Sequence, residues 1–149
     1  MKPSEWNATK LLIVTYGIAA RMAHLHSLNI LHRDLKSENV FLDEYFSPKI
    51  GDFGLSKEIK DNNENALPKS NVGSPAFMAP EIFERLEYSE ASDVYAFSIL
   101  LYEITTFDII YEGLNANNLP PKVIKSLRPV FNVKTKTKKQ KKKKKKKKK

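Results

Sequence analysis

At 149 residues the chain has room for one domain with a core of useful size, and a hydrophobic share of 41% is too high for a disordered polymer. The formal charge of +9 belongs to one end: residues 132–149 carry 13 lysines and no acid, so the other 131 residues set 13 basic against all 17 acidic side chains, a net of −4. That body gives no reason to expect nucleic acid as a partner, the absence of cysteine excludes disulfides and thiolate metal sites, and no apolar run is long enough for a transmembrane segment.

Asn7 is placed to cap a helix over residues 9–28, in which Leu11, Val14, Ile18, Met22 and Leu25 recur at steps of three and four and form one apolar stripe. Residues 11–20 have the length of a secretory apolar region, but the helical periodicity runs on to Leu25, which a signal peptide does not need. Asn29 suits the left-handed residue that ends such a helix. Residues 29–31, 40–42 and 48–50 are short apolar runs between polar turns and read as strands. Residues 55–75 read as one long functional loop. A second helix is expected from Ser89 or Ser92 onward. Its apolar residues Val94, Phe97, Ile99, Leu100, Leu101 and Ile104 lie on all sides, so it should be buried all round. Residues 106–121 read as loop and 121–127 as a short helix.

Chemistry concentrates in His32-Arg33-Asp34-Leu35-Lys36-Ser37-Glu38-Asn39, followed after a short interval by Asp52-Phe53-Gly54. Further on stand Gly73-Ser74-Pro75-Ala76-Phe77-Met78-Ala79-Pro80-Glu81, then Ser92-Asp93-Val94-Tyr95-Ala96-Phe97, then Arg128-Pro129. In that order and spacing these segments resemble the catalytic loop, the metal-binding motif, the end of the activation segment, the central helix and the late arginine of eukaryotic-type protein kinases. The resemblance covers about residues 8–131. It implies a mainly α fold with short β-strands, the C-terminal lobe of the protein-kinase fold.

The resemblance also implies roles, which suit the residue types present. Phosphoryl transfer from ATP needs alignment and charge neutralisation more than covalent help. Asp34 would orient or accept the proton of a substrate hydroxyl. Asn39 and Asp52 would offer oxygen ligands to Mg²⁺, Lys36 would neutralise the transferring phosphoryl group, and Phe41 would lie near the adenine. Gly54 would supply backbone freedom beside Asp52, with His32 and Phe53 as scaffold around the loop. Asp93 would bind backbone amides near His32 and Arg33, and Glu81 would pair with Arg128. Lys36-Ser37-Glu38 favours Ser/Thr of proteins as acceptor, and Tyr95 leans toward the tyrosine-kinase-like group of Ser/Thr kinases. Arg33 would receive a phosphate on the activation loop, placed by an upstream activating kinase. Ser70 is the preferred site for it, and Ser74 a poorer one because its hydroxyl is needed in place. Ser98 and Ser126 depart from the family, standing where glycine is common. His24 and His26 are two apart on a helix and so face different ways, against a metal site.

The family's other lobe supplies a Gly-rich loop over the phosphates, a strand lysine and a helix glutamate. No such glycine cluster precedes His32, so the N-terminal lobe is expected to be missing and the chain to have little activity alone. The alternative is a non-catalytic, kinase-derived binding module. Residues 132–149 are expected to be disordered, because like charges at that density repel. They read as a nucleic-acid or membrane-binding tail, a nuclear-localisation signal or, in preference, the translation of an A-rich stretch. The expected setting is cytoplasmic.

Overall fold

The computed structural model describes residues 6–59, 72–115 and 117–130. Residue 70 and the lysine-rich residues 132–149 lie outside them.

Helix α1 spans Ala8–Ser27. Asn7 caps it from an extended backbone, its side chain accepting the Lys10 amide at 2.8 Å. Asn29 takes φ 56 just beyond the helix and donates its amide to His26 O, as a left-handed ending requires. Val14, Ile18 and Met22 are its buried face. Strand β1, Ile30–Leu31, follows at once.

Strands β2 (Val40–Leu42) and β3 (Pro48–Ile50) form an antiparallel hairpin with Val40 opposite Ile50 and Leu42 opposite Pro48. Asp43 closes its turn by accepting the amides of Tyr45 and Ser47, both at 2.9 Å. The hairpin lies against α1 at Gly17. A Cβ there would stand 2.6 Å from the ring of Pro48, so only glycine permits the approach. Strand β4, Lys57–Glu58, pairs antiparallel with β1. It falls inside the stretch expected to be loop, because two residues are too few to show a pattern in sequence.

Helix α2 (Pro80–Arg85) is one short helix beginning on proline, a residue whose missing N–H costs nothing in a first turn. Helix α3, Glu90–Thr106, starts with a reciprocal capping box between Ser89 and Ser92. It packs against α1 and against the single turn Pro75–Phe77. The expectation of all-round burial is corrected here. Ser92, Asp93, Ala96, Ile99 and Leu100 are buried, but Val94 is 58% exposed, since no described element covers that side. Helix α4 covers Leu119–Ile124 rather than 121–127, with Pro120 and Pro121 in its first turn.

The core joins Val14, Ile18 and Met22 of α1, Leu35, Phe77, Ile110, and Ala96, Ile99 and Leu100 of α3. A smaller cluster of Met78, Ala79 and Ile82 sits beside it. The fold is mainly α with short strands, and residues 32–39 are suspended between β1 and β2 above the start of α3.

Candidate active site

A loop can hold chemistry only if its backbone is tied down. Asp93, 2% exposed in the first turn of α3, does this for residues 32–33. Its carboxylate accepts the His32 amide at 2.9 Å and the Arg33 amide at 3.0 Å. A buried carboxylate needs such partners, and Nε2 of His26 provides a third at 3.0 Å. Arg33 itself takes φ 65, a left-handed turn immediately before Asp34.

His32 is fully buried. Its Nδ1 accepts the Asp34 amide at 3.3 Å, so the remaining proton sits on Nε2, which donates to the carbonyl of Gly51 at 3.2 Å. The ring lies 5.3 Å from that of Phe53. One imidazole therefore links the loop to the end of β3.

The Asp34 carboxylate is 6% exposed and surrounded by donors. Lys36 Nζ reaches Oδ2 at 2.8 Å, Asn39 Nδ2 reaches Oδ2 at 3.3 Å, and the Ser74 amide reaches Oδ1 at 2.8 Å. Asn39 also donates to the Asp34 carbonyl at 2.8 Å, which turns its Oδ1 to the opposite side of the amide. Lys36 bridges to Ser74 Oγ at 3.0 Å. Burial pushes the Asp34 carboxyl up, but the bonds from Lys36 and Ser74 and the ammonium charge outweigh it and hold the group below the usual carboxylate range. Lys36 moves the other way, raised chiefly by its bond to Asp34 against the cost of burial, with the charges of Glu38 and Asp52 adding to it.

Asp52 is brought to the same place by the hairpin. The Gly51 amide donates to the Asn39 carbonyl at 2.9 Å, so Asp52 stands one residue beyond the rung that holds Asn39. Its carboxylate is exposed and within electrostatic reach of Lys36. The backbone freedom expected at Gly54 lies instead at Asp52, which takes φ 61. Gly54 matters for space, since a Cβ on it would come within 3.3 Å of Asp52 Oδ1. Phe41 is 59% exposed on β2 with its ring against Gly51.

Gly73 takes φ 105 and backs onto the loop of residues 32–39. A Cβ there would stand 2.6 Å from the Arg33 carbonyl oxygen. Arg33 directs its Nε to the carbonyl of Leu55 and its guanidinium over the ring of Tyr88. The residue expected to bring it a phosphate, Ser70, lies outside the described residues.

The expected Glu81–Arg128 ion pair is not formed. Arg128 donates to the carbonyls of Val123 at 2.9 Å and Leu127 at 2.7 Å, and lies over the Tyr95 ring. Two carbonyls at the end of α4 are nearer to hand than a carboxylate on α2. Ser126 takes φ 69, a conformation in which glycine is unstrained. Ser98 is exposed and bonds back to the Tyr95 carbonyl. The contacts of His26 and Tyr88 escaped sequence reasoning, because each joins residues far apart in the chain and no local pattern marks it.

Among the described residues no group of three or more His, Cys, Asp and Glu side chains assembles to hold a metal, and no helix is long and apolar enough to cross a membrane. The oxygens there include the Asp52 carboxylate and the Asn39 amide. That pair fits Mg²⁺, a hard cation held by one or two protein oxygens together with phosphate oxygens and water.

The family model described as "Protein kinase domain" matches residues 4–149. A probable LIM domain-containing serine/threonine-protein kinase of Dictyostelium discoideum is 42% identical over 118 residues, 79% of this chain and 18% of that protein. The dual specificity protein kinase pyk3 of the same organism is 38% identical over 109 residues, covering 73% of this chain and 8% of that protein. The serine/threonine-protein kinase Nek1 of Mus musculus is 36% identical over 112 residues, 75% of this chain and 9% of that protein. The chain spans less than a fifth of the length of the curated relatives it matches (18% of the first, 10% and 12% of the next two). With the family model matching nearly its whole length, and with Asp34, Asn39 and Asp52 brought to one end of one hairpin, the chain belongs to the eukaryotic protein-kinase domain family.

Proposed function

We propose that the chain is the C-terminal lobe of a protein kinase and carries the acceptor-side machinery for phosphoryl transfer from ATP to Ser or Thr hydroxyls of proteins. The single observation that carries this reading is the Asp34 carboxylate, held by Lys36, Asn39 and Ser74 beside the loop that presents Asp52. A carboxylate kept ionised in that setting can accept a hydrogen bond from a hydroxyl and aim its oxygen. Lys36, tied to Asp34 and Ser74, holds a positive charge where a phosphoryl group would pass. Asn39 and Asp52 would hold Mg²⁺, and Phe41 would offer an apolar surface to the adenine. Mg²⁺ bound to ATP supplies neutralisation of the phosphate charge.

Lys36-Ser37-Glu38 and the relatives' names support Ser/Thr as acceptor, while one relative is named as dual specificity. Assignment to the tyrosine-kinase-like group rests on Tyr95, and the boundary at residue 131 on the change to lysine. The cytoplasmic setting rests on a sequence without cysteine. Activation by a second kinase, with Ser70 as acceptor and Arg33 as its receiver, belongs to the same reading.

The test is radiolabelled transfer from MgATP to a Ser/Thr-containing protein by the whole gene product. Asp34→Asn is expected to lower transfer by roughly 10²–10⁴-fold. Equal transfer by wild type and Asp34→Asn contradicts the assignment.

A further inference from the structure

Tyr88 lies in the connection between α2 and α3, outside every motif that the sequence singles out. Its hydroxyl donates to the carbonyl of Val72 at 2.9 Å and accepts the amide of the same residue at 2.7 Å. Two bonds to the two ends of one residue fix it in position and in rotation, which one bond does not. The ring packs against the cluster of Met78, Ala79 and Ile82. Its face lies 5.4 Å from the guanidinium carbon of Arg33.

Two residues beyond Val72, the Ser74 amide donates to Asp34 Oδ1 at 2.8 Å. Between them Gly73, at φ 105, is seated on the carbonyl of Arg33. The run from 72 to 74 is therefore held at its outer end by Tyr88 and at its inner end by residues 33–34. The same tyrosine touches both sides of that junction.

We propose that Tyr88 is a positioning residue for Asp34. Through Val72 it keeps residues 72–74 in the register that aims the Ser74 amide at the Asp34 carboxylate, and through its ring it steadies Arg33, from which Asp34 follows. What Asp34 then does rests on the phosphotransfer reading; the positioning itself does not.

Tyr88→Phe keeps the ring, its packing and the Arg33 contact, and removes only the hydroxyl. In the whole chain, labelled for NMR, hydrogen exchange at the Val72 and Ser74 amides is expected to speed up by at least about tenfold. The Ser74 amide proton resonance is expected to move upfield, because its bond to the Asp34 carboxylate is loosened. Exchange at Ile18 and Met22 of α1 is expected to stay unchanged. Faster exchange at Val72 with unchanged exchange and an unmoved resonance at the Ser74 amide would overturn the proposal, as would unchanged exchange at Val72. Loss of protection throughout α1 would also overturn it, by showing that the hydroxyl supports the whole fold. Neither readout involves phosphate transfer, so the positioning role and the phosphotransfer reading fail separately.

Discussion

Asp34 shows how a reactive side chain can be made stable by its neighbours. Removed from water alone, the carboxylate would drift toward its neutral form. The donors from Lys36 and Ser74 reverse that drift and keep it ionised below the usual range. The consequence for stability has a definite sign. A group whose folded pKa is depressed stabilises the fold above its unfolded pKa of about 3.9, and that contribution is lost as the pH falls through the lower folded value. Lys36 mirrors it: raised in the fold, it contributes below its unfolded pKa of about 10.4 and loses that contribution as the pH rises through the higher folded value. Urea unfolding between pH 6 and pH 2 is therefore expected to show a shallower acid loss in Asp34→Asn than in the wild type. Parallel acid profiles would mean that Asp34 is not held as described. The residue types of this pair were legible in the motif. The steric reason for Gly73 was not, because the obstacle is the carbonyl of Arg33, forty residues away in the chain.

At the scale of elements, α3 is the anvil of the site. Its capping box fixes where the helix begins, and that start sets Asp93 beneath the loop. Asp93→Ala leaves the buried amide of His32 and the half-buried amide of Arg33 without their acceptor and His26 without its partner. The expected cost is roughly 3–5 kcal/mol in equilibrium unfolding, with faster amide exchange at His32 and Arg33. A cost below about 1 kcal/mol would show that the loop is fixed by other means. Helix α1 and the hairpin were readable because capping, periodicity and turn residues agree over their whole length. β4 and α2 were not, being too short for periodicity and formed by pairing and packing with partners elsewhere. The burial of α3 was overestimated for a related reason. Apolar residues on all sides announce a buried helix, yet no described element covers the Val94 side.

At the scale of the whole molecule, the order of motifs was enough to name the family, and the hairpin register then explains how distant motifs meet. Asn39 and Asp52 are neighbours because β2 and β3 pair and the Gly51 amide reaches back to Asn39. His32 and Asp93 tie that hairpin to the helical body. Among long-range side-chain partners, the hold of Asp93 on the His32 and Arg33 amides followed from the resemblance, whereas others did not: Arg128 turned to carbonyls and Tyr95 instead of Glu81, and Tyr88 took hold of Val72. The function proposed for this chain requires Asp34, Asn39 and Asp52 to converge on one magnesium–phosphate site. The most direct measurement replaces Mg²⁺ by paramagnetic Mn²⁺ in the presence of ATP and follows the amide resonances. Selective broadening of residues around Asp34, Asn39 and Asp52, abolished by Asp52→Asn, is the predicted result. Broadening centred elsewhere, or unchanged in Asp52→Asn, would contradict the account.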